Sequence, residues 1–429
     1  MTGSANSGHA VTSLARRVAA AYLPDVVGDG LLPPMQSLGR IYPMFGAVFS
    51  DSAARRRDEA ALADGTLVDL GIGSYFPTDE RVIEAAVTAL RNGATRYLDS
   101  TPLKAAIAAK YGDEQSVTVD LTEVLLLGGA RPGIMLAMLA LVDEGREVVV
   151  PDPDYLGLAH AAAVVGGHVV RPAMRRLDDG SLVPDLDALV DNIGERTAVV
   201  AITNPGNPTG HVWSRAELDA VADAARHHGA TMVVNEVYDR LVLDPAVAHV
   251  GALALGEREG VVVIGGVSKA YDMTGFHLGW IVADAGLVAA LSDLRFLAHQ
   301  AEPSAASQHA ALAALTPPVR DEIPKSGCAR LAHNAAAVTG ALADIGSIRC
   351  PTPAAGQFAF PYVGGDDQAL AEALKTDAGV CVVPGSAWGR MGRGHLRLAL
   401  ANRAEIQTEG LARLRSGLRR HRGQAGATG

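Results

Sequence analysis

Residues 261–280 read VVVIGGVSKAYDMTGFHLGW, and this stretch decides how the chain folds. Its run of β-branched residues predicts a buried strand, and the residues that follow predict a loop at the carboxyl end of that strand. Lys269 stands in this loop, and it is one of only five lysines in the chain, so its position is unusual. Small residues around it allow a ligand to approach the backbone. A lysine amine partly removed from water there loses its proton more readily and can attack an aldehyde.

Other apolar runs in the chain follow the same design. TAVVAITNP (197–205) and TMVVNEVY (231–238) also predict buried strands that end in polar residues, and VLLLG (124–128) precedes a helical segment. Strands that alternate with helices indicate a parallel sheet covered by helices on both faces. In such sheets, ligands bind in a crevice at the carboxyl ends of the strands. We therefore predict an α/β fold with one ligand crevice at that edge.

The alternating pattern predicts a large domain over residues 83–312. A proline-containing segment, TPPVRDEIPKSG (316–327), indicates a boundary after it. Residues 313–429 predict a smaller α+β domain with a frayed, arginine-rich tail. Residues 1–82 are expected to form an amino-terminal arm and part of the small domain.

The composition argues against several classes of protein. A net charge of −10 provides no basic surface for nucleic acid, and no window reaches the roughly 18 apolar residues of a membrane span. The first residues lack the order of a secretory signal. The three cysteines show no spacing typical of metal ligands, and they are expected to be free thiols: Cys328, Cys350 and Cys381. We therefore expect a cytoplasmic protein with no metal, membrane or nucleic-acid partner.

Four segments taken together resemble the aminotransferase class I and II family, which comprises fold-type I enzymes that use pyridoxal 5'-phosphate (PLP). They are NPGNPTG (204–210), NEVY (235–238), VSKAYDMTGFHLGW (267–280) and HLRLALAN (395–402). With weaker matches the resemblance extends over about residues 66–415. It implies the fold-type I architecture of PLP-dependent transferases, with a mostly parallel sheet of the seven-stranded type and a smaller α+β domain. It also implies an enzyme that acts on an α-amino acid.

The resemblance implies which residues hold the cofactor. Lys269 would form the Schiff base with PLP and carry protons to and from the substrate α-carbon. Asn207 and Tyr238 would bind the phenolic oxygen, and Tyr155 would stack on the pyridine ring, unless it is simply a core residue. Backbone N–H groups at the start of a helix suit a phosphate. The phosphate group would be bound by Gly129, Ala130, Arg131, Ser268, His277 and, from a neighbouring subunit, Tyr97.

The assignment of Tyr97 to the phosphate site of a neighbouring subunit implies a homodimer with shared sites.

On the substrate side, Arg397 matches the arginine that binds the α-carboxylate, since a planar guanidinium pairs with both oxygens. Gly73 would approach the same carboxylate through its backbone. Ile72 and Tyr75 would lie near the substrate entry.

Three positions depart from the family pattern where it touches the cofactor. Asn235 stands where the family has an aspartate that pairs with the protonated ring nitrogen, and an amide cannot balance that charge. His277 replaces an arginine that binds the phosphate, and Gly266 replaces a serine three residues before the lysine. Arg131 occupies a site that is usually small, and its charge could substitute for that of the missing arginine.

An aminotransferase is the simplest function that the resemblance implies. Because Asn235 weakens the ring as an electron sink, a lyase, a replacement enzyme or a cyclising enzyme stays open, acting on a cationic amino acid or S-adenosylmethionine. A non-catalytic relative also stays open. A regulatory protein that fuses this fold to a DNA-binding domain is disfavoured, because the amino-terminal stretch is short and weakly basic.

The side chain of the substrate is the feature that the sequence defines least. The segment QAEPSA (300–305) corresponds to a loop that approaches the partner's site in the family, and Glu302 is an acid within it. If this carboxylate faces the pocket, it favours a cationic substrate and disfavours a dicarboxylate. The alternative is a solvated loop carboxylate, which is usual for glutamate.

Overall fold

The computed structural model describes residues 52–72, 76–298, 300–346 and 348–427. Its helices are α1 (Ser52–Ala63), α2 (Glu80–Arg91), α3 (Thr101–Gln115), α4 (Ala130–Leu141), α5 (Leu156–Val164), α6 (Leu186–Asp191), α7 (Arg215–His227), α8 (Ala285–Leu297), α9 (Ala305–Ala314), α10 (Val319–Leu342), α11 (Asp367–Ala378) and α12 (Ala404–Ala427). None of these helices is both long enough and apolar enough to cross a bilayer.

The strands divide between one large sheet and several small ones. In chain order they are β1 (Val68–Asp69), β2 (Val124–Leu127), β3 (Glu147–Val149), β4 (His168–Val170), β5 (Arg175–Arg176), β6 (Leu182–Val183), β7 (Thr197–Thr203), β8 (Thr231–Asn235), β9 (Val261–Gly266), β10 (Gly279–Val282), β11 (Phe358–Ala359), β12 (Val380–Cys381), β13 (Val383–Pro384) and β14 (Leu396–Ala399).

The large sheet has seven strands in the order β2-β10-β9-β8-β7-β3-β4. Strand β10 runs antiparallel to both of its neighbours, and the other six strands are parallel to one another. The prediction of a mostly parallel seven-stranded sheet is therefore confirmed. Because β10 runs the other way, its first residue lies at the same edge as the last residues of the parallel strands.

Apolar side chains cover both faces of this sheet, as the β-branched runs predicted. Val200 and Val234 belong to one buried cluster, whereas Val199 and Val233 belong to the cluster on the opposite face. Successive residues of a strand point to opposite faces, so the central strands must be apolar at every position. Burying one such side chain contributes roughly 1.5–3 kcal/mol.

Smaller sheets lie outside this core. Strands β11, β14 and β13 form an antiparallel sheet, and β1 pairs in parallel with β12, with Val68 opposite Val380. A segment from the first 82 residues thus shares a sheet with one from the last part of the chain. The division at residues 82 and 312 stays a prediction.

Two segments form helices where the sequence indicated a boundary or a loose end. Pro324 lies inside α10, which begins directly after the consecutive prolines 317 and 318. Helix α12 continues to Ala427, into the arginine-rich segment that we expected to be frayed.

Candidate active site

The large sheet brings polar residues from five strands to one edge. Asn235 is the last residue of β8, and Asn207 and Lys269 lie shortly after β7 and β9. Tyr155 follows β3, and His277 precedes β10. The register fixes this arrangement, because Asn235 pairs with Thr203 on one side and with Ile264 on the other. The strand ends that the sequence predicted to form the ligand crevice therefore lie together at one edge of the sheet.

Arg397 lies on β14 of a small sheet and connects to this edge. Its Nη1 donates to Oδ1 of Asn207 at 3.5 Å, and its Nη2 donates to the carbonyl oxygen of Gly71 at 3.0 Å. The amide nitrogen of Asn207 in turn donates to the hydroxyl of Tyr238 at 3.4 Å. Three residues that the sequence associated with cofactor and substrate thus form one chain of hydrogen bonds.

Two aromatic rings fix the guanidinium of Arg397. Its Cζ lies 3.9 Å from the ring centre of Phe358 and 4.4 Å from that of Trp388, and the side chain is almost wholly buried. A cation over an aromatic face is attracted by the ring, and more strongly so away from water. The planar group is therefore held in one orientation, which is what two-point binding of a carboxylate requires.

The loop that carries Trp388 is itself fastened to the large sheet. Arg171 donates to the carbonyl oxygen of Trp388 at 2.9 Å. The carboxylate of Asp152 accepts from the backbone N–H groups of Arg390 and Met391 at 3.0 and 3.3 Å. The orientation of Arg397 thus depends on contacts between distant parts of the chain.

The end of β8 carries a buried acceptor. The amide nitrogen of Asn235 donates to the hydroxyl of Thr203 at 3.5 Å, whereas its Oδ1 is buried and has no hydrogen-bond partner. Buried polar atoms are nearly always paired, so an unpaired one at a strand end indicates a place for a ligand donor. The N–H of a protonated pyridine ring fits this requirement.

A buried carboxyl group lies behind Thr203. Oδ2 of Asp154 accepts the backbone N–H of Thr203 at 3.1 Å, and Oδ1 accepts the backbone N–H of Tyr155 at 2.5 Å. Burial raises the pKa of Asp154 to about 6, although hydrogen bonds from Thr203 and Tyr155 and the charge of Arg171 oppose the rise. At pH 8 this carboxyl group is mostly ionised.

The start of α4 offers a cradle for an anion. Gly129 is its N-cap with φ of 118°, in a region that favours glycine. A Cβ at Gly279, the first residue of β10, would lie 2.6 Å from both the carbonyl carbon of Gly129 and the nitrogen of Ala130. The backbone therefore approaches so closely only because residue 279 is glycine. The N–H groups of a helix start and its dipole favour a phosphate at this point.

The other residues expected around the phosphate are less enclosed. Arg131 and His277 are exposed, whereas Ser268 and Lys269 are half-buried. His277 has φ of 48°, unusual for a residue with a side chain. The half-buried ring of Tyr155 lies over Gly157, where a Cβ would meet it at 2.4 Å. These groups are thus more accessible to solvent than Asn207 and Asn235 at the strand ends.

Several residues predicted for the substrate side, or for the phosphate site of a neighbouring subunit, lie on the surface of the chain. The side chain of Tyr97 is fully exposed, and that of Ile72 is 48% exposed. The carboxylate of Glu302 pairs with Arg295 at 3.1 Å. Gly73 and Tyr75 lie outside the described residues.

A buried charge network lies next to the residues after β8. Lys110 is buried, and its amine donates to Asp239 at 2.5 Å and to Glu114 at 2.7 Å. Burial raises the pKa of the nearby Glu236 to about 8. Oε1 of Glu236 accepts the backbone N–H of Ala252 at 2.6 Å. These buried ion pairs and hydrogen bonds therefore hold in place the segment that carries Asn235 and Tyr238.

The sequence reading did not include five residues that shape the site. Asp152, Asp154 and Thr203 had a signal, since all three stand at or shortly after the ends of buried strands. Phe358 and Trp388 had none, because their roles arise only where distant segments meet.

Comparison with known proteins identifies the family of this chain. The aminotransferase class I and II family matches residues 65–413. A putative aminotransferase, YugH, of Bacillus subtilis is 31% identical over 370 residues, which are 83% of this chain and 93% of the relative. The LL-diaminopimelate aminotransferase of Desulforudis audaxviator is 33% identical over 366 residues, 82% of this chain and 91% of the relative.

Solved structures agree with these sequence matches. An aromatic aminotransferase from Pyrococcus horikoshii has a TM-score of 0.77 at 27% identity, and the match covers 83% of this chain and 96% of that one. An N-succinyldiaminopimelate aminotransferase from Mycobacterium tuberculosis has a TM-score of 0.78 at 27% identity, covering 84% and 96%. This chain belongs to the aminotransferase class I and II family, and it is a PLP-dependent enzyme.

Proposed function

We propose that this enzyme transfers the amino group of an α-amino acid to an α-keto acid. The observation that carries the proposal is the arrangement of Arg397, which lies between two aromatic rings and bonds to Asn207. This arrangement binds an α-carboxylate in one orientation beside the residues proposed for the cofactor. The relatives and solved structures named above are aminotransferases, which supports the same reaction.

Each proposed residue has a separate task. PLP, when bound, supplies an aldehyde that accepts the amino group and a ring that takes up electrons from the α-carbon. Lys269 would hold the cofactor through this aldehyde, and its amine, when free, would move the proton at the α-carbon. Asn207 and Tyr238 hold the phenolic oxygen, and Tyr155 covers the ring from water. The start of α4, with Ser268, holds the phosphate.

The test uses the purified enzyme with PLP, a panel of amino donors and a keto-acid acceptor. Formation of the donor's keto acid together with the acceptor's amino acid supports transamination. Release of ammonia, or of another leaving group, without a new amino acid would indicate a lyase or replacement enzyme and overturn the proposal.

We also propose that the enzyme is a homodimer in which Tyr97 reaches the partner's phosphate site. Tyr97, Phe296 and Leu297 are large side chains that are 105%, 81% and 71% exposed, and exposed apolar groups of this size are typical of interfaces. A hybrid formed from Lys269→Ala and Tyr97→Phe subunits tests this. If the sites are shared, one site of the hybrid keeps both Lys269 and Tyr97 and binds PLP as tightly as the wild type. If neither site binds PLP with wild-type affinity, sharing is contradicted.

Glu302 is the residue through which a preference for the charge of the substrate side chain would act. Glu302 would select a cationic substrate only if its charge faces the pocket, and Arg295 already neutralises it within the chain.

A cytoplasmic location fits the three free cysteines of the described residues. Cell fractionation tests the location directly.

A further inference from the structure

The loop that carries Lys269, residues 267–278 between β9 and β10, has an unusual backbone. Asp272 and His277 within it have φ of 53° and 48°, and among the residues that the structure describes only one other non-glycine residue, Ser116, has a positive φ. Residues with a side chain seldom adopt this left-handed conformation, and it persists where surrounding contacts hold it. The backbone N–H of Asp272 donates to the carbonyl oxygen of Lys269 at 3.5 Å. The conformation of Asp272 therefore closes the turn that begins at the lysine.

Two distant segments hold Asp272, one at its side chain and one at its backbone. Its carboxylate is buried, and Oδ2 accepts from Nη2 of Arg330, on α10, at 3.0 Å. Its carbonyl oxygen accepts from the hydroxyl of Thr78 at 2.5 Å. Burial raises the pKa of Asp272 to about 6, although the charge and the hydrogen bond of Arg330 oppose the rise. At pH 8 the two side chains thus form a charged pair, and charge-assisted hydrogen bonds are the stronger kind.

Arg330 also contacts the segment that carries Thr78. Its Cζ lies 4.2 Å from the ring centre of Phe76, and its Nη1 donates to Oγ of Ser326 at 2.7 Å. A planar guanidinium can pair with a carboxylate at its edge while its face covers an aromatic ring. One arginine of α10 thereby joins the Lys269 loop to residues 76–78, which follow closely after Ile72, a residue predicted to lie near the substrate entry.

We infer that Asp272 is a positioning residue for Lys269. Its contacts with Arg330 and Thr78 fix the turn from which the lysine side chain extends, since two points of contact prevent a rotation that one alone would allow. Misplacing a catalytic group by about 1 Å can reduce the rate on the order of 10²-fold, so a small rotation of this turn is enough to matter. The inference rests on the role of Lys269 in the proposed function, but the opening of the loop can be measured without the reaction.

The first test measures hydrogen exchange of the PLP-loaded enzyme at pH 8, by mass spectrometry of peptides from residues 267–278. Asp272→Asn removes the charge and keeps a residue that tolerates a left-handed backbone, and Arg330→Met keeps an apolar chain beside Phe76. Both variants should exchange roughly fivefold faster or more in this loop, because its amide hydrogen bonds open more often. Thr78→Val, which leaves no unpaired charge, should do the same. Thr78→Ser keeps the hydroxyl and should exchange like the wild type.

The second test asks whether the turn positions the lysine amine. The same variants react in single turnovers with an amino acid that carries hydrogen or deuterium at its α-carbon. The step that deuterium slows should become about 10- to 100-fold slower, whereas substrate affinity should change by less than about threefold. In the double variant Asp272→Asn, Arg330→Met the loss should match that of one single variant, because both changes remove the same contact.

Arg320→Met is the matched control. Arg320 is also a buried arginine of α10, but it pairs with Asp113 at 2.6 Å, so its replacement should change neither loop exchange nor the deuterium-sensitive step. Wild-type exchange in both Asp272→Asn and Thr78→Val would overturn the inference, as would equal effects in Arg320→Met. A deuterium-sensitive step of wild-type rate in variants with faster exchange would overturn it as well. A failure of the proposed transamination would appear in the products and not in these two measurements.

Discussion

At the strand ends, Asn207 and Asn235 are 4% and 2% exposed, whereas on the surface of the chain Tyr97 is fully exposed and Ile72 is 48% exposed. The first group is fixed by the register of the sheet and by hydrogen bonds within the chain. The second group has no comparable enclosure. The contrast indicates that one chain suffices to build the side that we propose performs the chemistry. The open side depends on what binds there, whether cofactor, substrate or a second subunit.

The sharpest way to test the enclosed side is to remove Lys269. Lys269→Ala should leave a folded protein that binds PLP without a covalent bond, and turnover should fall by about 10²–10⁴-fold or more, because one amine both binds the aldehyde and moves the proton. Borohydride reduction followed by peptide mapping checks the assignment. A reduced adduct on any of the other four lysines would contradict it.

The enclosed side should also show its burial as a dependence of stability on pH. Because the pKa of Glu236 is raised to about 8 in the fold, the unfolded chain releases this proton first as pH rises above its ordinary pKa of 4.5. Its contribution to the free energy of unfolding therefore falls between pH 4.5 and 8, by up to about 1.4 kcal/mol per pH unit.

Denaturant unfolding of wild type and Glu236→Gln over pH 5–8 measures this effect. The variant should gain stability relative to wild type as pH rises. Asp120→Asn is the control, because hydrogen bonds from the side chain and the backbone of Thr122 lower the pKa of Asp120 below its ordinary value of 3.8. Its contribution is lost only as pH falls below about 3.8, so the difference from wild type should be flat over pH 5–8. If the difference in the free energy of unfolding between Glu236→Gln and wild type does not change with pH, then water reaches this carboxyl group and its pKa is not raised.

Arg397 belongs to the enclosed side although it comes from a small sheet. Arg397→Lys keeps the charge but loses the planar fork, so kcat/KM for amino acids should fall by about 10- to 100-fold, equivalent to about 1.5–3 kcal/mol. Arg413→Lys is the control, since Arg413 also donates to backbone carbonyls, but of residues 65, 66 and 379. An equal loss in both variants would indicate a general effect on the fold.

Arg131 is exposed but is expected to bind the phosphate, so its replacement tests whether it contributes to the enclosed side. Because it is exposed, Arg131→Ala should weaken PLP binding by only about 1 kcal/mol, or roughly fivefold. Arg196→Ala provides the comparison, as Arg196 is 77% exposed and pairs with Glu147 at the opposite edge of the sheet. Titration with PLP distinguishes the two. Unchanged affinity in Arg131→Ala would exclude it from the phosphate site.

The smallest effect is expected on the open side, at Glu302. Its carboxylate is half-exposed and paired with Arg295, so Glu302→Gln should change the preference between arginine and aspartate by less than about fivefold. The measurement is kcat/KM for both amino acids in wild type and variant. A large loss confined to cationic substrates would instead show that the carboxylate faces the pocket of the assembled enzyme.

The features that could be predicted from sequence are those encoded in short segments. β-Branched runs predicted β7, β8 and β9, and the residues after them predicted where Asn207, Asn235 and Lys269 would meet. The contact of Asp154 with Thr203 and the rings around Arg397 were not predicted, because they depend on which distant segments come into contact. The pairing of Glu302 with Arg295 was missed for the same reason, since a loop carboxylate gives no sign of its partner.

The antiparallel direction of β10 fixes the distance between two parts of the site. Lys269 and Gly279 lie on one hairpin, whose strands pair Gly266 with Gly279 and Ile264 with Ile281. The distance from the amine to the anion cradle beside Gly129 is therefore set by a local turn within a single rigid sheet. Arg397 reaches the crevice from β14, which belongs to a separate sheet. The fold thus sets the spacing of the cofactor groups within one sheet and adds the proposed carboxylate-binding group from another.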